Sequence, residues 1–351
     1  MIWELEKKHD EAKIKKLQED LNVSRLVSIL LLNRSIDSFE KAKGFFRPSL
    51  DELHDPFLMQ DMKEAVDRIQ KAINDNENIL VFGDYDVDGT SSVSLVSSFL
   101  NNHTKNNVLT YIPDRYQEGY GISTKSIDYA VSKEINLIIA LDCGIQAIDK
   151  VEYAKGKNID FIICDHHRPS KEIPKAIAVL NPLREDCQYP YKELCGCGIG
   201  FKLIQAMSSR MGQTIESIKK HLDLVALAIV ADIVSLTGEN RILCYYGLEQ
   251  INQSPRPGLK AIIDTLDKDN ITINELGFYI GPRINAAGRM ESGNIAVELL
   301  IEKNLDKASG LAEKLNQLNI DRRVLDKETT QDALKQIKKF KNETSHTTVV
   351  C

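Results

Sequence analysis

The sequence predicts an α/β protein with a five-stranded, mostly parallel sheet that is covered by helices on both faces. Two observations support this fold class. Short apolar runs alternate with helical segments between residues 79 and 180. Each run is apolar almost throughout, rather than at every second position, which is typical of strands buried on both faces. Helical crossovers between successive strands in turn require parallel pairing.

Five apolar runs mark the strands, and helix-like segments connect the first four. Right-handed crossovers place the loops that follow the strands along one edge of the sheet, where ligand sites form in open α/β sheets. The predicted strands span residues 79–83, 108–112, 137–142, 160–164 and 177–180, and the predicted helices span about 90–101, 123–133 and 145–157.

Helical segments flank the sheet on either side in the sequence. Residues 1–75 predict an N-terminal helical cap, residues 76–295 the α/β domain, and residues 296–342 a long connecting helix, in which leucines recur at helical spacing. Residues 343–351 end in an apolar run that predicts the first strand of a further domain. The cap has two predicted apolar faces, one with Leu21, Leu26, Ile29, Leu30 and Leu32 and one with Met62, Val66 and Ile69.

The composition is that of an ordinary globular protein of 351 residues, with a formal net charge of −6. This charge argues against a generally basic nucleic-acid coat but is compatible with a local basic groove. The N-terminus is too charged for a signal peptide and no segment resembles a membrane span, so we expect no membrane contact and a cytoplasmic location. The seven cysteines are then expected to be reduced. Cys195 and Cys197 lack a second pair at zinc-site spacing, so we expect no zinc.

The stretch GDYDVDG places three carboxylates directly after the first predicted strand. Asp84, Asp86 and Asp88 alternate along the chain, and in an extended backbone they lie on the same face. Carboxylates this close repel one another unless a cation lies between them. A divalent metal site at the carboxyl end of the strand is the simplest interpretation. A solvated acidic loop is the alternative, which the preceding strand and the predicted helix that follows disfavour.

Three further features place acidic or histidine side chains near the same edge. Asp142 ends the third predicted strand, Asp165-His166-His167 ends the fourth, and Asp232 lies within the predicted apolar helix LDLVALAIVADIVSL. Taken singly, an aspartate after a strand is typical of a helix N-cap, a histidine pair is more often structural, and a buried aspartate requires a partner. Their coincidence predicts Mn²⁺ or Mg²⁺, with enough ligands for two ions acting on a phosphoester.

The order of these motifs resembles the DHH phosphoesterase superfamily, and further stretches are similar to the RecJ family of bacterial single-strand-specific exonucleases. These stretches are FFRPSLDELHDPFLMQDMKEAVDRI, PDRYQEGYG, LDCGI, LAIVADIVSL and GPRINAAGRM. The resemblance implies a metal-dependent 5′→3′ exonuclease that hydrolyses single-stranded DNA in DNA repair and recombination. As partners it implies the 5′ end of single-stranded DNA, a helicase and a single-strand-binding protein. It also implies that residues 343–351 begin a truncated DHH-associated domain.

The resemblance assigns roles within the site. The metal ligands that it implies are Asp86, Asp88, Asp142, His166 and Asp232. It implies that His167 lies beside the metals and takes part in catalysis with Asp142 and Asp88. Asp84 is expected close to the metals, either as a ligand or orienting the other carboxylates. Many members of the superfamily carry a metal-binding histidine four residues before the first motif aspartate, whereas Phe82 stands at that position here.

Contacts to substrate are also implied by the resemblance. The residues concerned are Arg115, Tyr120, Arg283, Asn285 and Arg289. Arg115 is expected to hold a 5′ phosphate, with an ordinary surface arginine as the alternative. Tyr120, like Tyr116, is expected either to stack on bases or to pack in an ordinary way. Arg283 and Arg289 are expected to line a nucleic-acid channel, with salt bridges beneath the site as the alternative. The small residues around Asn285 allow close backbone approach, but there is no P-loop.

Two other functions remain open from the sequence. A DHH-type phosphodiesterase that acts on short oligonucleotides or cyclic dinucleotides would use the same metal chemistry, although the N-terminal cap and the GPRINAAGRM stretch disfavour it. A binding protein that has lost catalysis is the second alternative. The presence of every motif carboxylate and of both histidines disfavours that alternative.

Overall fold

The computed structural model describes residues 9–266 and 268–339 of the chain. Its contacts divide the chain into two compact units, with the boundary between Leu53 and His54. The predicted boundary of the N-terminal cap lies later, after residue 75, so the helix that directly precedes the sheet falls in the second unit. Residues 343–351, where a further domain is predicted to begin, lie outside the described residues.

Three short helices build the N-terminal unit: α1 (Glu11–Leu21), α2 (Arg25–Leu32) and α3 (Phe39–Phe46). The core between them consists of Ile14, Leu17, Leu31, Leu32, Ile36 and Ala42. The apolar face predicted for residues 21–32 is therefore wrong in part. Leu26 is 66% exposed and Leu30 is 45% exposed. The reason is that the chain turns at Asn22, which has a φ of 53°, so one helical period does not continue from α1 into α2.

One sheet of parallel strands forms the centre of the second unit, in the spatial order β2-β1-β3-β4-β5, which confirms the predicted fold class. The strands are β1 (Asn78–Gly83), β2 (Val108–Tyr111), β3 (Ile135–Leu141), β4 (Asp160–Cys164) and β5 (Ala178–Leu180). Gly83 pairs with Leu141, and Leu141 pairs with Cys164. The carboxyl ends of β1, β3 and β4 therefore lie side by side.

Helices cover both faces of this sheet. The helices of the second unit are α4 (Met62–Asn74), α5 (Val87–His103), α6 (Thr124–Ser132), α7 (Ile148–Lys155), α8 (Gly196–Arg210), α9 (Leu222–Ala231), α10 (Gly238–Gln253), α11 (Pro257–Ile263), α12 (Ile273–Glu275), α13 (Gly281–Met290), α14 (Asn294–Ile301) and α15 (Leu305–Lys339), of which α4 to α8 pack against the strands. A π-helical turn, Leu276–Ile280, joins α12 to α13. Short 3₁₀ helices span Leu50–Glu52, Pro56–Leu58, Ile215–Ser217 and Lys219–His221. Leu80 and Phe82 pack with α6 and α7. Because side chains alternate along a strand, the other side chains of β1 face the opposite layer.

Two predicted helices differ from the structure. Helix α9 ends at Ala231, so Asp232 lies at its C-terminal cap rather than within it, and Ile233 follows with a left-handed φ of 59°. The predicted connecting helix is interrupted, because Glu302 takes an extended conformation between α14 and α15. Among the residues that the structure describes, no helix is both long and apolar enough to cross a membrane.

Candidate metal centre

The site lies at the carboxyl edge of the sheet, where three neighbouring strands end in aspartates. Asp84 follows β1, Asp142 follows β3 and Asp165 follows β4. All three side chains are buried. Asp142 has a φ of 59°, a left-handed conformation that aspartate tolerates better than most residues. The parallel register thus concentrates negative charge at one point of the sheet edge.

His166 lies at the centre of the acidic cluster. Its Nε2 atom is 3.2 Å from Asp142 Oδ1, 3.7 Å from Asp232 Oδ2 and 3.8 Å from Asp88 Oδ2. Burial lowers the pKa of His166 to about 4, so the imidazole is neutral near pH 7. A neutral imidazole surrounded by carboxylate oxygens is a donor set suited to a divalent cation.

The ligand atoms fall into two overlapping groups that could each hold a metal ion. One group is Asp88, His166 and Asp232, and the other is Asp142, His166 and His167. Within each group the ligand atoms lie within 4.8 Å of one another. The structure therefore brings together most of the metal ligands that the sequence predicts, around a shared histidine.

Asp88 is held by the N-terminus of α8. Its two carboxylate oxygens accept hydrogen bonds from the backbone N–H groups of Gly196, at 2.6 Å, and Cys197, at 2.7 Å. A helix N-terminus favours a carboxylate. Burial nevertheless raises the pKa of Asp88 to about 8, with Asp232 and Asp86 adding to the effect. The two hydrogen bonds do not offset burial and the surrounding negative charge, and a cation bound beside Asp88 would favour its ionised form.

Two buried oxygens of the cluster lack a hydrogen-bond partner among the described residues: Asp84 Oδ1, and Asp142 Oδ1, whose 3.2 Å contact with His166 Nε2 does not have hydrogen-bond geometry. Burial raises the pKa of Asp84 to about 7, and the Asp86 carboxylate adds to this. Burial and the neighbouring Asp88 raise the pKa of Asp142 well above its usual range. Buried polar atoms without partners are rare, because each costs the full desolvation penalty. A divalent cation supplies the missing partner, so the residues present fit a metal.

Asp232 and Asp86 approach the cluster from helix ends. Asp232 caps the C-terminus of α9, where the helix dipole disfavours a carboxylate, and burial together with Asp86 raises its pKa to about 6. Asp86 is the N-cap of α5 and accepts a hydrogen bond from the Gly89 N–H at 2.9 Å. Asp86 is thus already satisfied in part as a helix cap, whereas Asp232 lies at a helix end where a neighbouring cation would stabilise its ionised form.

Asp165 orients His167, a role that the sequence prediction did not include. Asp165 Oδ1 lies 2.7 Å from His167 Nδ1 and accepts the His167 N–H at 3.0 Å, while Oδ2 accepts the Ile145 N–H at 2.8 Å. Burial alone would raise the pKa of Asp165, but the hydrogen bonds from His167 outweigh it and lower the pKa. The same pair raises the pKa of His167. With Nδ1 bound to Asp165, His167 Nε2 faces the hydroxyl of Tyr120 at 3.4 Å.

The loop from 113 to 121 brings one predicted substrate residue to the cluster. The Tyr120 hydroxyl donates a hydrogen bond to the backbone oxygen of Asp142 at 3.3 Å. The Arg115 guanidinium is exposed and lies 5.0 Å from the centre of the Tyr85 ring, within the GDYDVDG stretch. The Tyr116 hydroxyl donates to the backbone oxygen of Arg289 at 2.8 Å. The loop thus spans from the acidic cluster to α13.

Helix α13, which carries the GPRINAAGRM stretch, packs directly on the GDYDVDG loop. A methyl group added at Gly288 would overlap the backbone oxygen of Tyr85, so only glycine fits there. Asn285 accepts a hydrogen bond from the Val87 N–H and so supports the loop itself. Arg283 instead donates to Asn316 at 3.1 Å and to the Tyr279 backbone at 2.8 Å, which directs its guanidinium toward α15. Arg289 is exposed.

The cysteines near the site have structural surroundings. Cys195 is the N-cap of α8, and its Sγ atom accepts a hydrogen bond from the Gly198 N–H at 3.4 Å. Burial raises the pKa of Cys195 and of Cys197 well above the usual value, so both remain thiols. Neither of the ligand groups found among the described residues includes a cysteine.

Comparisons with known proteins agree with this geometry. Residues 78–229 match the model of the DHH family, N-terminal domain. The chain is 38% identical over 339 residues to the single-stranded-DNA-specific exonuclease RecJ of Bacillus subtilis, covering 96% of this chain and 42% of that protein. It is 34% identical to the RecJ of Escherichia coli, over 78% of this chain and 49% of that protein. The chain thus spans about half the length of the curated relatives that it matches.

Solved structures show the same fold. The crystal structure of Thermus thermophilus RecJ in complex with Mn²⁺ superposes with a TM-score of 0.80 at 26% identity, over 93% of this chain and 47% of that one. An exonuclease RecJ bound to manganese gives a TM-score of 0.75 at 29% identity, over 82% of this chain and 72% of that one. Residues 78–229 therefore form a domain of the DHH family, and the chain is a homologue of the RecJ exonucleases over about half of their length.

Proposed function

We propose that this chain is the metal-binding part of a 5′→3′ exonuclease that hydrolyses phosphodiester bonds of single-stranded DNA. Three observations support the proposal: the carboxylate and imidazole cluster, the 38% identity to a single-stranded-DNA-specific exonuclease, and the fold shared with manganese-bound RecJ structures. A role in DNA repair and recombination is consistent with these relatives. The cytoplasmic location and the helicase and single-strand-binding partners stay predictions.

The observation that carries the proposal is the position of His166 among carboxylates from separate elements. Asp88, His166 and Asp232 are suited to hold one cation, and Asp142, with His166 and His167, a second one. Mn²⁺ or Mg²⁺ would supply Lewis acidity to the phosphate oxygens and charge to balance the carboxylates. Asp84 Oδ1, which is buried beside them without a partner, is placed either to bind a cation or to accept a proton from water.

The remaining side chains of the site are proposed to bind substrate or to transfer a proton. Asp165 binds His167 through Nδ1, which leaves Nε2 free either to bind the second cation or, as the alternative, to contact a phosphate or donate a proton to a leaving oxygen. Arg115, exposed on its loop, is proposed to bind a terminal 5′ phosphate. Tyr120 is proposed to stack on a base, and Arg289 to line the path of the strand.

Arg283 and Asn285 fit supporting roles better than direct contacts. The contacts of Arg283 with Asn316 and Tyr279 hold α13 against α15. Asn285 supports the loop that carries Asp86 and Asp88. A role of either side chain in binding substrate stays a prediction.

The test is a nuclease assay on 5′-phosphorylated single-stranded DNA with Mn²⁺ or Mg²⁺. We expect nucleotides to be released from the 5′ end, no release in chelator, and at least about a hundredfold loss in Asp142→Asn. The control is Asp128→Asn, an exposed aspartate on α6 whose carboxylate contacts Tyr153, which should retain activity. Equal digestion of duplex and single strands, or activity in chelator, would refute the proposal. Faster turnover of dinucleotides than of long strands would favour a small-substrate phosphodiesterase instead.

A further inference from the structure

Ile233, the residue directly after Asp232, has an unusual backbone conformation. Its φ of 59° lies in the left-handed region, which is a genuine outlier for a β-branched side chain. The residue is also 88% exposed, so packing among the described residues does not account for an isoleucine at this position. A residue held in such a conformation beside a functional cluster is grounds for a functional hypothesis.

The loop around Ile233 is held firmly, which explains how the conformation persists. The Tyr191 hydroxyl donates to the backbone oxygen of Thr237 at 2.8 Å and lies 3.2 Å from that of Ser235, an alternative acceptor for the same hydrogen. The buried Asn240 amide bridges the backbone oxygens of Ser235, at 3.0 Å, and Glu193. Strained residues persist only where surrounding contacts determine the backbone. The loop therefore presents Ile233 to solvent in a defined position.

A second exposed apolar side chain lies at the same end of α9. Phe278, on the π-helical turn, is 77% exposed. Its neighbour Gly277 packs so closely that an added methyl group would lie 3.2 Å from Val230, and one at Gly281 would lie 3.6 Å from Ala231. The π-helical turn that carries Phe278 thus packs against the end of α9, next to Asp232.

We infer that Ile233 forms an apolar ledge on which one nucleobase of a single strand packs when the scissile phosphate lies at the acidic cluster. This inference rests on the proposed nuclease function. The ledge is continuous in sequence with Asp232, so a strand whose phosphate reaches the cluster brings an adjoining base to the ledge. Aliphatic side chains serve as such wedges beside bases, and every base offers a flat apolar face. The ledge would fix the position of the strand without reading its sequence.

The test combines variants of Ile233 with removal of single bases from the DNA. Binding is measured by fluorescence anisotropy with Mn²⁺, using a 5′-phosphorylated oligothymidylate whose phosphorothioate linkages resist cleavage. One oligonucleotide is intact, and each of the others carries a single abasic nucleotide at one of the first positions. For the wild type, we expect one abasic position to weaken binding about tenfold.

For Ile233→Gly, we expect the intact strand to bind about tenfold more weakly, and the abasic substitution at that same position to cause no further loss. Ile233→Asn, which tolerates a left-handed backbone, should behave in the same way. The melting temperature of Ile233→Gly should not fall, because glycine relieves the backbone strain. The control is Asn158→Gly, an exposed left-handed residue before β4 at the opposite edge of the sheet, which should leave every affinity unchanged.

Losses that add at every abasic position would overturn the ledge, because the two changes would then act independently. Unchanged binding by Ile233→Gly would also overturn it and would favour a protein surface as the occupant. If the wild type cleaves single strands but the effects of Ile233→Gly and of the abasic nucleotide on binding are independent, only the inference about the ledge is refuted. If the wild type neither binds nor cleaves single strands, the proposed function fails with it.

Discussion

The side-chain oxygen of Asn285 accepts a hydrogen bond from the backbone N–H of Val87 at 3.0 Å. Val87 is the first residue of α5 and lies between two carboxylates of the cluster, Asp86 and Asp88. An N–H in the first turn of a helix has no partner within the helix. Helix α13 thus supplies the partner for a backbone N–H at the start of α5, and this hydrogen bond links the GPRINAAGRM stretch to the GDYDVDG stretch.

We predict that Asn285→Ala weakens both the fold and the site. Loss of the hydrogen bond to Val87 should lower the free energy of unfolding by about 1 kcal/mol, and Mn²⁺ affinity should fall about tenfold because Asp86 and Asp88 lose their support. Urea titration and Mn²⁺ titration check the two effects. Asn101→Ala, an exposed substitution on α5, is the control. If Mn²⁺ affinity were unchanged, Asn285 would have to act elsewhere.

Gly196→Ala should disrupt the site by overpacking. The added methyl group would lie 2.6 Å from Asp142 Cβ, at the point where the start of α8 also binds Asp88. We expect a loss of about 1–3 kcal/mol in stability and a loss of Mn²⁺ binding. Gly310→Ala on α15, where nothing lies within 4 Å, should instead gain up to about 1 kcal/mol. Equal effects of the two substitutions would contradict the predicted crowding at Gly196.

The stabilisation by Mn²⁺ should increase with pH. In the metal-free protein, burial raises the pKa of Asp84 to about 7 and of Asp88 to about 8, so protons occupy these carboxylates at lower pH. Protons therefore compete with the cation, and the gain in Tm on adding Mn²⁺ should be small near pH 5.5 and large near pH 8. Differential scanning fluorimetry with Mn²⁺ or chelator measures this. A gain independent of pH would mean that the cation binds elsewhere, and Asp128→Asn should behave as the wild type.

His221 should make the protein less stable in mild acid. Burial, together with the neighbouring Arg256, lowers its pKa from 6.5 to about 3, and its Nδ1 atom has no partner among the described residues. Below pH 6.5 the unfolded chain binds a proton at this histidine that the folded chain excludes, so stability falls as the pH drops from 6.5 toward 3. His221→Phe removes the histidine that binds this proton in the unfolded chain, and with it this contribution to the loss of stability. Urea titrations from pH 8 to pH 5 should show a shallower loss in the variant, whereas parallel curves would contradict the prediction.

The strands and the acidic edge follow from sequence because their signals are local. Apolar runs mark β1, β3 and β4, and parallel order then brings the aspartates after them together. The position of Asp232 was predicted less well, because the apolar pattern of α9 continues through Ile233 although the helix ends before it. The spacing of apolar residues in a sequence does not indicate that the backbone leaves the helical conformation at a β-branched residue.

Contacts made by the backbone were not predictable from motifs. The N–H groups of Gly196 and Cys197 bind Asp88 from a helix more than a hundred residues away in sequence. No side-chain pattern signals such a contact, although the small residues at the start of α8 are compatible with close approach. The role of Asp165 was more accessible, because an aspartate beside a histidine is a common means of fixing the imidazole.

The assembly of the cluster from distant elements has a consequence for folding kinetics. Its carboxylates come directly after β1 and β3, at the start of α5 and at the C-terminal end of α9. These like charges therefore come together only after these elements, which are distant in sequence, have packed against one another. Contacts of this kind form late, because loop closure precedes them. A cation that binds only the assembled cluster would stabilise the native state without stabilising the transition state. Mn²⁺ should therefore slow unfolding while leaving the refolding rate unchanged.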